Sequence, residues 1–225
     1  MELFDSFFNV DVMLRTLPML GRGLVNTVLL SAFSIVTGIL VGVFWCLLRL
    51  YSPTPVRLVT VFLIDFFRAV PILVILVVIY YALPGIGIVL SPFTAAVMGL
   101  SLVLAAFTAE VFRAGIQSLP KGQFEAADAL GLPFLVTLWR VILPQAVRVA
   151  IPPQTSNCVG IAKDTSLASV VAMPDLLKEA MNGQALFANP SPLIAAAIIY
   201  FLVLWPAVRL VSYLENRARQ ANAGS

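Results

Sequence analysis

Five long apolar runs joined by short polar turns dictate both the solvent and the secondary structure of this 225-residue chain. A hydrocarbon core of about 30 Å takes about 20 apolar residues of helix to cross. Lipid offers the backbone no hydrogen-bond partners, so each spanning segment must satisfy its own amides and carbonyls, which a helix does within one segment. The runs lie at about 24–48, 59–83, 92–112, 153–173 and 192–214. Composition agrees: 60% of residues are hydrophobic and only 11% charged, against roughly a quarter charged in soluble domains. The expected fold class is therefore an all-α integral membrane protein, a single domain over residues 1–225 with five transmembrane helices.

Lysine and arginine set the expected orientation. Arg49, Arg57, Arg113, Lys121, Arg140, Arg148, Arg209, Arg217 and Arg219 fall on one side, and only Arg15, Arg22 and Lys178 on the other. An odd number of spans then puts the N-terminus outside and the C-terminus in the cytoplasm. The opening residues carry Glu2, Asp5 and Asp11 rather than a basic stretch, which argues against a cleaved signal. Leu3–Leu20 reads instead as an amphipathic helix lying at the interface. The last residues, 222–225, are small and polar and read as disordered.

Several classes of chemistry are disfavoured. The chain has no histidine, the commonest general base and metal ligand. Its two cysteines, Cys46 and Cys158, lie far apart in apolar runs and read as small buried residues, so no metal site is expected. The sequence holds no Gly-x-x-x-x-Gly-Lys-Ser/Thr phosphate loop, no Gly-x-Ser-x-Gly and no His-Glu-x-x-His.

One polar excursion interrupts the apolar pattern, GQFEAADALGLPFLVTLWRVILPQAVRVAIPP at 122–153. Glu125 to Leu130 are good helix formers, and Gly131 suits a left-handed stop. Pro133 can open a second helix, while Pro144 and Pro152–Pro153 are expected to limit it before the fourth span. The segment reads as a helix–turn–helix on the membrane surface, with its two alanines leaving a low-relief face.

The spacing of Glu125-Ala126-Ala127, Gly131, Val141, Leu143 and Pro144 resembles the EAA coupling loop of permease subunits of ATP-binding-cassette importers. Val141 stands where that family usually has isoleucine, a swap that keeps an apolar β-branched side chain. Further stretches, GLVNTVLLSAFS at 23–34, FFRAVPIL at 66–73, AEVFRAGIQSLPKG at 109–122 and KDTSL at 163–167, are similar to the polar amino acid uptake branch. The likeness extends over about 20–214. It implies a cytoplasmic coupling loop at 121–148, between helices 3 and 4, in which Gln123, Glu125, Ala126, Ala127 and Gly131 contact a separate ATPase.

Ionisable residues within apolar helices cost roughly 2.5–3.5 kcal/mol each on insertion scales and tend to mark a pathway. Asp65 and Arg68 share a helix face and read as an ion pair or as pathway residues. Glu110 reads either as a partner of Arg113 or as part of the pathway. Lys163 and Asp164 are adjacent, so they cannot face each other and need partners elsewhere. The fourth span is polar throughout, so it belongs at a helix–helix seam or a cavity, and Asn157, Lys163, Asp164 and Thr165 join the pathway residues.

Five spans are too few to enclose a pathway, so a homodimer, or a heterodimer with a paralogous permease, is expected. The resemblance implies two cytoplasmic ATPase subunits that use ATP and Mg, an extracytoplasmic solute-binding protein, a polar amino acid as cargo and a bacterial inner membrane location. The chain itself is then a non-catalytic subunit that binds no cofactor and no nucleic acid. The rival is an ion-gradient-driven secondary amino acid transporter, against which stand the lack of an internal repeat and the small number of spans.

Overall fold

The computed structural model describes residues 7–223, with side chains as far as residue 217. The described residues form eight helical elements, α1 Val10–Tyr51, α2 Thr54–Ala69, α3 Ile72–Ile86, α4 Pro92–Gln117, α5 Lys121–Ala129, α6 Phe134–Val171, α7 Leu176–Phe187 and α8 Ser191–Ala223. Four helices are long and apolar enough to cross a membrane alone, and the bent pair α2–α3 meets the same test only when its two helices are taken together.

Helix α1 starts earlier than its apolar run predicts. The Asn9 side chain accepts from the Val12 amide at 3.1 Å and caps it. The helix continues through Pro18 for 42 residues. The separate interfacial helix expected at Leu3–Leu20 is thus corrected over residues 10–20, and residues 3–6 lie outside the described part. The cause is packing: Val12, Thr16, Leu20, Gly23 and Thr27 recur every three or four residues and are all buried. Leu20 packs with Leu176, Ala180, Ala195 and Ala196 of α7 and α8, so this stretch meets protein rather than a lipid surface.

The second span, expected as one helix over 59–83, is broken by 107° between Ala69 and Ile72. Pro71 has no amide to donate and disfavours helical geometry in the residue before it. Val70 accordingly adopts φ −82°, ψ 131°. After the bend, α3 passes through a wide π turn at Val78–Ala82 and a tight turn that ends on Gly87 at φ 85°.

Helix α4 is the centre of the bundle. It begins at a Ser91 cap that accepts from the Thr94 amide and runs five residues past its expected end, to Gln117. Its buried face is built from small residues, among them Ala95, Ala96, Gly99, Ala105, Ala106 and Ala109. Small residues let helix backbones approach where lipid supplies no hydrophobic drive between helices. The contact with α1 is close: a Cβ built on Gly42 would stand 2.6 Å from the Ala105 carbonyl oxygen and 2.5 Å from Thr108 Cβ. The centre of the core joins Leu30, Leu76, Leu100, Leu104, Ile161 and Val171 from four helices.

Helix α6 corrects a further expectation. The prolines do not separate the polar excursion from the fourth span: the helical path from Phe134 runs through Pro144, Pro152 and Pro153 to Val171. Pro144 sits in the first turn of the regular stretch Leu143–Asp164, where its missing amide costs little. A π turn at Leu138–Ile142 precedes it, and a 3-10 stretch, Thr165–Val171, follows. Helix α7 falls where the sequence reading placed only a connection. Asp175 caps it, and Ala188 at φ 47° ends it. Helix α8 passes through Pro206 and is described as far as Ala223, so it takes in two of the four terminal residues expected to be disordered.

Candidate functional site

Two regions bring together the residues singled out from the sequence: an arm built on α5, and a polar seam along α6.

The arm is a nine-residue helix, Lys121–Ala129, closed by Gly131 at φ 65°. The Gly131 amide returns to the Asp128 carbonyl at 2.9 Å and the Leu132 amide to the Ala127 carbonyl at 3.1 Å, the left-handed stop expected of a glycine here. Ala127 is 3% exposed and faces its own bundle. This corrects its place on the presented face, because the alanine that lets backbones approach serves the contact inside the chain. Gln123, Glu125, Ala126 and Gly131 are exposed. Gln145 Nε2 donates to Gln123 Oε1 at 3.0 Å and to the Val141 carbonyl at 2.8 Å, tying the arm to the base of α6. Beside the arm lies a cleft of about 210 Å³ lined by Tyr51, Phe124, Asp128 and Phe134. Leu130, Phe134, Leu135 and Trp139 stand out from this end, each more than half exposed.

At the same end, Glu110 of α4 is held by two arginines. Arg49 of α1 donates to Glu110 Oε2 at 2.7 Å, and Arg113 pairs with both oxygens, its Nε donating at 3.1 Å. The expected Glu110–Arg113 pair is present, and Arg49, which sequence reasoning took only as the stop of the first span, completes it. A carboxylate so occupied clamps α1 to α4.

Along α6 the neighbours Lys163 and Asp164 diverge, as adjacent helix positions must. Lys163 enters a groove of about 330 Å³ between α6 and α8, among Tyr200, Phe201, Leu204 and Trp205. Asp164 enters a groove of about 140 Å³ between α4 and α6, with Asn157, Ser156 and Phe107. Phe107 links this groove to α2, since the Arg68 guanidinium lies 5.8 Å from its ring centroid. The expected Asp65–Arg68 ion pair does not form: Arg68 takes the aromatic face instead, and Asp65 is exposed. Thr165 is fully buried, its hydroxyl bonded to the Ala162 carbonyl at 2.8 Å. It therefore faces the core rather than either groove. Arg68, Asn157 and Asp164 thus flank one aromatic ring, Lys163 faces another groove, and Glu110 is spent on the α1–α4 clamp.

Sequence reasoning missed Phe107, Tyr200 and Trp205, which read as ordinary span residues. It also missed Asp175, although an aspartate three residues before Lys178, at the start of a helical run, is a recognisable cap signal.

Comparison with known proteins follows the same lines. Residues 34–220 match the family model described as binding-protein-dependent transport system inner membrane component. The chain is 36% identical over 215 residues, 95% of each chain, to the probable amino-acid ABC transporter permease protein YckA of Bacillus subtilis. It is 35% identical over 202 residues, 89% of this chain and 86% of the other, to the L-cystine transport system permease protein TcyB of the same organism. Among solved structures, a chain of an amino acid ABC transporter with histidines superposes with a TM-score of 0.84 at 33% identity, covering 91% of this chain and 96% of that one.

Proposed function

This chain belongs to the family of binding-protein-dependent transport system inner membrane components, the permease subunits of ATP-binding-cassette transporters, and from that premise we propose how its parts divide the work of importing a polar amino acid. It is the transmembrane subunit of an ATP-driven importer, a multi-pass inner membrane component. The ion-driven alternative is not favoured.

In the proposed arrangement the basic end of the bundle, with the α5 arm and the C-terminus, faces the cytoplasm, and the N-terminus lies outside. Gln123, Glu125, Ala126 and Gly131 present the arm to a separate ATPase subunit, which uses ATP and Mg. Two permease chains, alike or paralogous, pair about a two-fold axis with two ATPases, and an external solute-binding protein delivers the cargo. Closure of the ATPases draws the two arms together, and the Glu110 clamp passes that movement from α4 to α1. The cavity between the permeases then opens outward, and hydrolysis resets it inward.

The cargo reading rests on the amino-acid permeases to which the chain is similar and on the chemistry of the α6 seam. Arg68 and Asp164, one cation and one anion flanking Phe107, match the carboxylate and ammonium of an amino acid, with Asn157 as a neutral donor and acceptor. Lys163, in the groove between α6 and α8, and Asp65, exposed on α2, add charge of either sign.

The observation that carries the proposal is an arm whose inner face is packed and bonded to its own chain while its outer face, from Glu125 to Gly131, is left bare. The test is ligand-stimulated ATP hydrolysis by the full complex in proteoliposomes. Gly131→Asp and Glu125→Arg are expected to abolish stimulation with the permease still inserted, and full stimulation in both would refute the arm assignment. Asp164→Ala is expected to lower uptake at least tenfold without loss of assembly, and unchanged uptake would remove it from the pathway.

A further inference from the structure

At the end of the bundle opposite the arm, the loop between α6 and α7 folds a carboxyl group into the interior. Asp175 is 0% exposed. Its Oδ1 accepts from the Lys178 amide at 2.8 Å and caps α7, while Oδ2 is buried with no hydrogen-bond partner. The loop is fastened to α1 on both sides of this residue. Asn26 Nδ2 donates to the Pro174 carbonyl at 2.8 Å, and the Leu176 amide donates to Thr27 Oγ1 at 3.0 Å. Between them the backbone lies so close that a Cβ on Gly23 would stand 2.8 Å from the Asp175 carbonyl oxygen. From α8, Tyr200 comes within electrostatic reach of the carboxyl group.

A buried carboxylate normally has an arginine, a lysine or several amides to replace its lost water. The ionisable groups facing Asp175 are Tyr200 from α8 and Lys178 and Glu179 from its own helix. The α1 contacts described come from uncharged residues, Gly23, Asn26 and Thr27. Burial therefore outweighs the Lys178 amide bond and pushes the carboxyl group up to about 7.

We infer that Asp175 is a proton-dependent fastener, which holds the α6–α7 loop against α1 and α8 while neutral and favours release of the loop when it ionises. Release would free α7 from the outer half of α1 and let this end of the bundle part. In water the carboxyl group ionises near 4, so below about pH 4 both the fastened and released states are neutral and the fastening is at full strength. As pH rises from there to about 7 only the released state ionises freely, and the fastening weakens; above that the dependence ends. The inference rests on the packing of this loop and is independent of the cargo and of the arm.

The test is hydrogen–deuterium exchange over residues 172–180 in the intact complex in lipid nanodiscs, from pH 5 to 8, corrected for the intrinsic base-catalysed rate. Wild type is expected to open more often as pH rises, approaching tenfold per unit in the steepest region. Asp175→Asn keeps the side-chain oxygen that caps α7 and cannot ionise, so its corrected opening is expected to be flat with pH. A flat wild type, or the same slope in the variant, would overturn the inference. Infrared difference spectra of wild type supply a measurement that needs no variant: a neutral buried carboxyl band is expected at pH 6, and its absence there refutes the assignment.

Discussion

The α1–α4 seam and the α5 arm both rely on glycine and alanine, for opposite reasons. In the seam, Gly38 and Gly42 are glycines because another helix occupies the space a side chain would take: Leu104 in one case, the Ala105 carbonyl and Thr108 in the other. In the arm, Gly122 and Gly131 have nothing within 4 Å of the place a Cβ would occupy. Gly131 is required by its backbone, at φ 65°, and not by a neighbour. The seam is complete within one chain, whereas the arm is complete only on the side that faces its own bundle.

The comparison is broken most severely at Gly42. Its Cβ would meet backbone as well as side chain, so the neighbour cannot swing away, and Gly42→Val is expected to cost about 3 kcal/mol or more. Thermal unfolding in detergent should fall by many degrees, whereas a small change would show that α1 and α4 can separate freely. Glu110→Gln comes next. The side chains of Glu110, Arg49 and Arg113 are only 21–24% exposed, and the change leaves two partly buried guanidinium groups without their carboxylate. A loss of about 2 kcal/mol is expected, less than for a fully buried pair because water still reaches the group. The same thermal assay checks it, and stability equal to wild type would mean that the clamp does not join the helices.

The arm is expected to be the most tolerant. Gly131→Ala forces an L-residue into left-handed backbone and should cost about 1 kcal/mol of local order. The intact subunit should unfold within a degree or two of wild type, with the loss confined to protease sensitivity near 130. Gly122→Ala, in open space and with no such backbone requirement, should show neither effect. If Gly131→Ala unfolded the subunit as Gly42→Val does, the distinction between a closed seam and an open arm would fail.

Much of this was legible beforehand because lipid narrows the possibilities. Apolar run length found the four long membrane helices and the bent pair α2–α3, and the Glu125-Ala126-Ala127…Gly131 spacing found the arm and its left-handed stop. Where the reading failed, one residue carried two meanings. Pro71 breaks the second span, while Pro144, Pro152 and Pro153 lie within the helical path of α6, and nothing local distinguishes them. Asp65 and Arg68 have the spacing of an ion pair, yet an aromatic face on α4 competes for the guanidinium. Ala127 and Ala126 are the same residue type side by side, and only the position of the bundle decides which one is presented.

The sequence alone therefore determined the solvent, the apolar runs and the presence of a helical arm, because these follow from hydropathy and local backbone chemistry along a single strand of residues. Tertiary structure decided what each polar group does. It gave Glu110 to a clamp, turned Lys163 and Asp164 into different grooves, and buried Asp175 beneath α8. Those outcomes depend on which helices approach one another, and a partner distant along the chain leaves no mark in the local pattern.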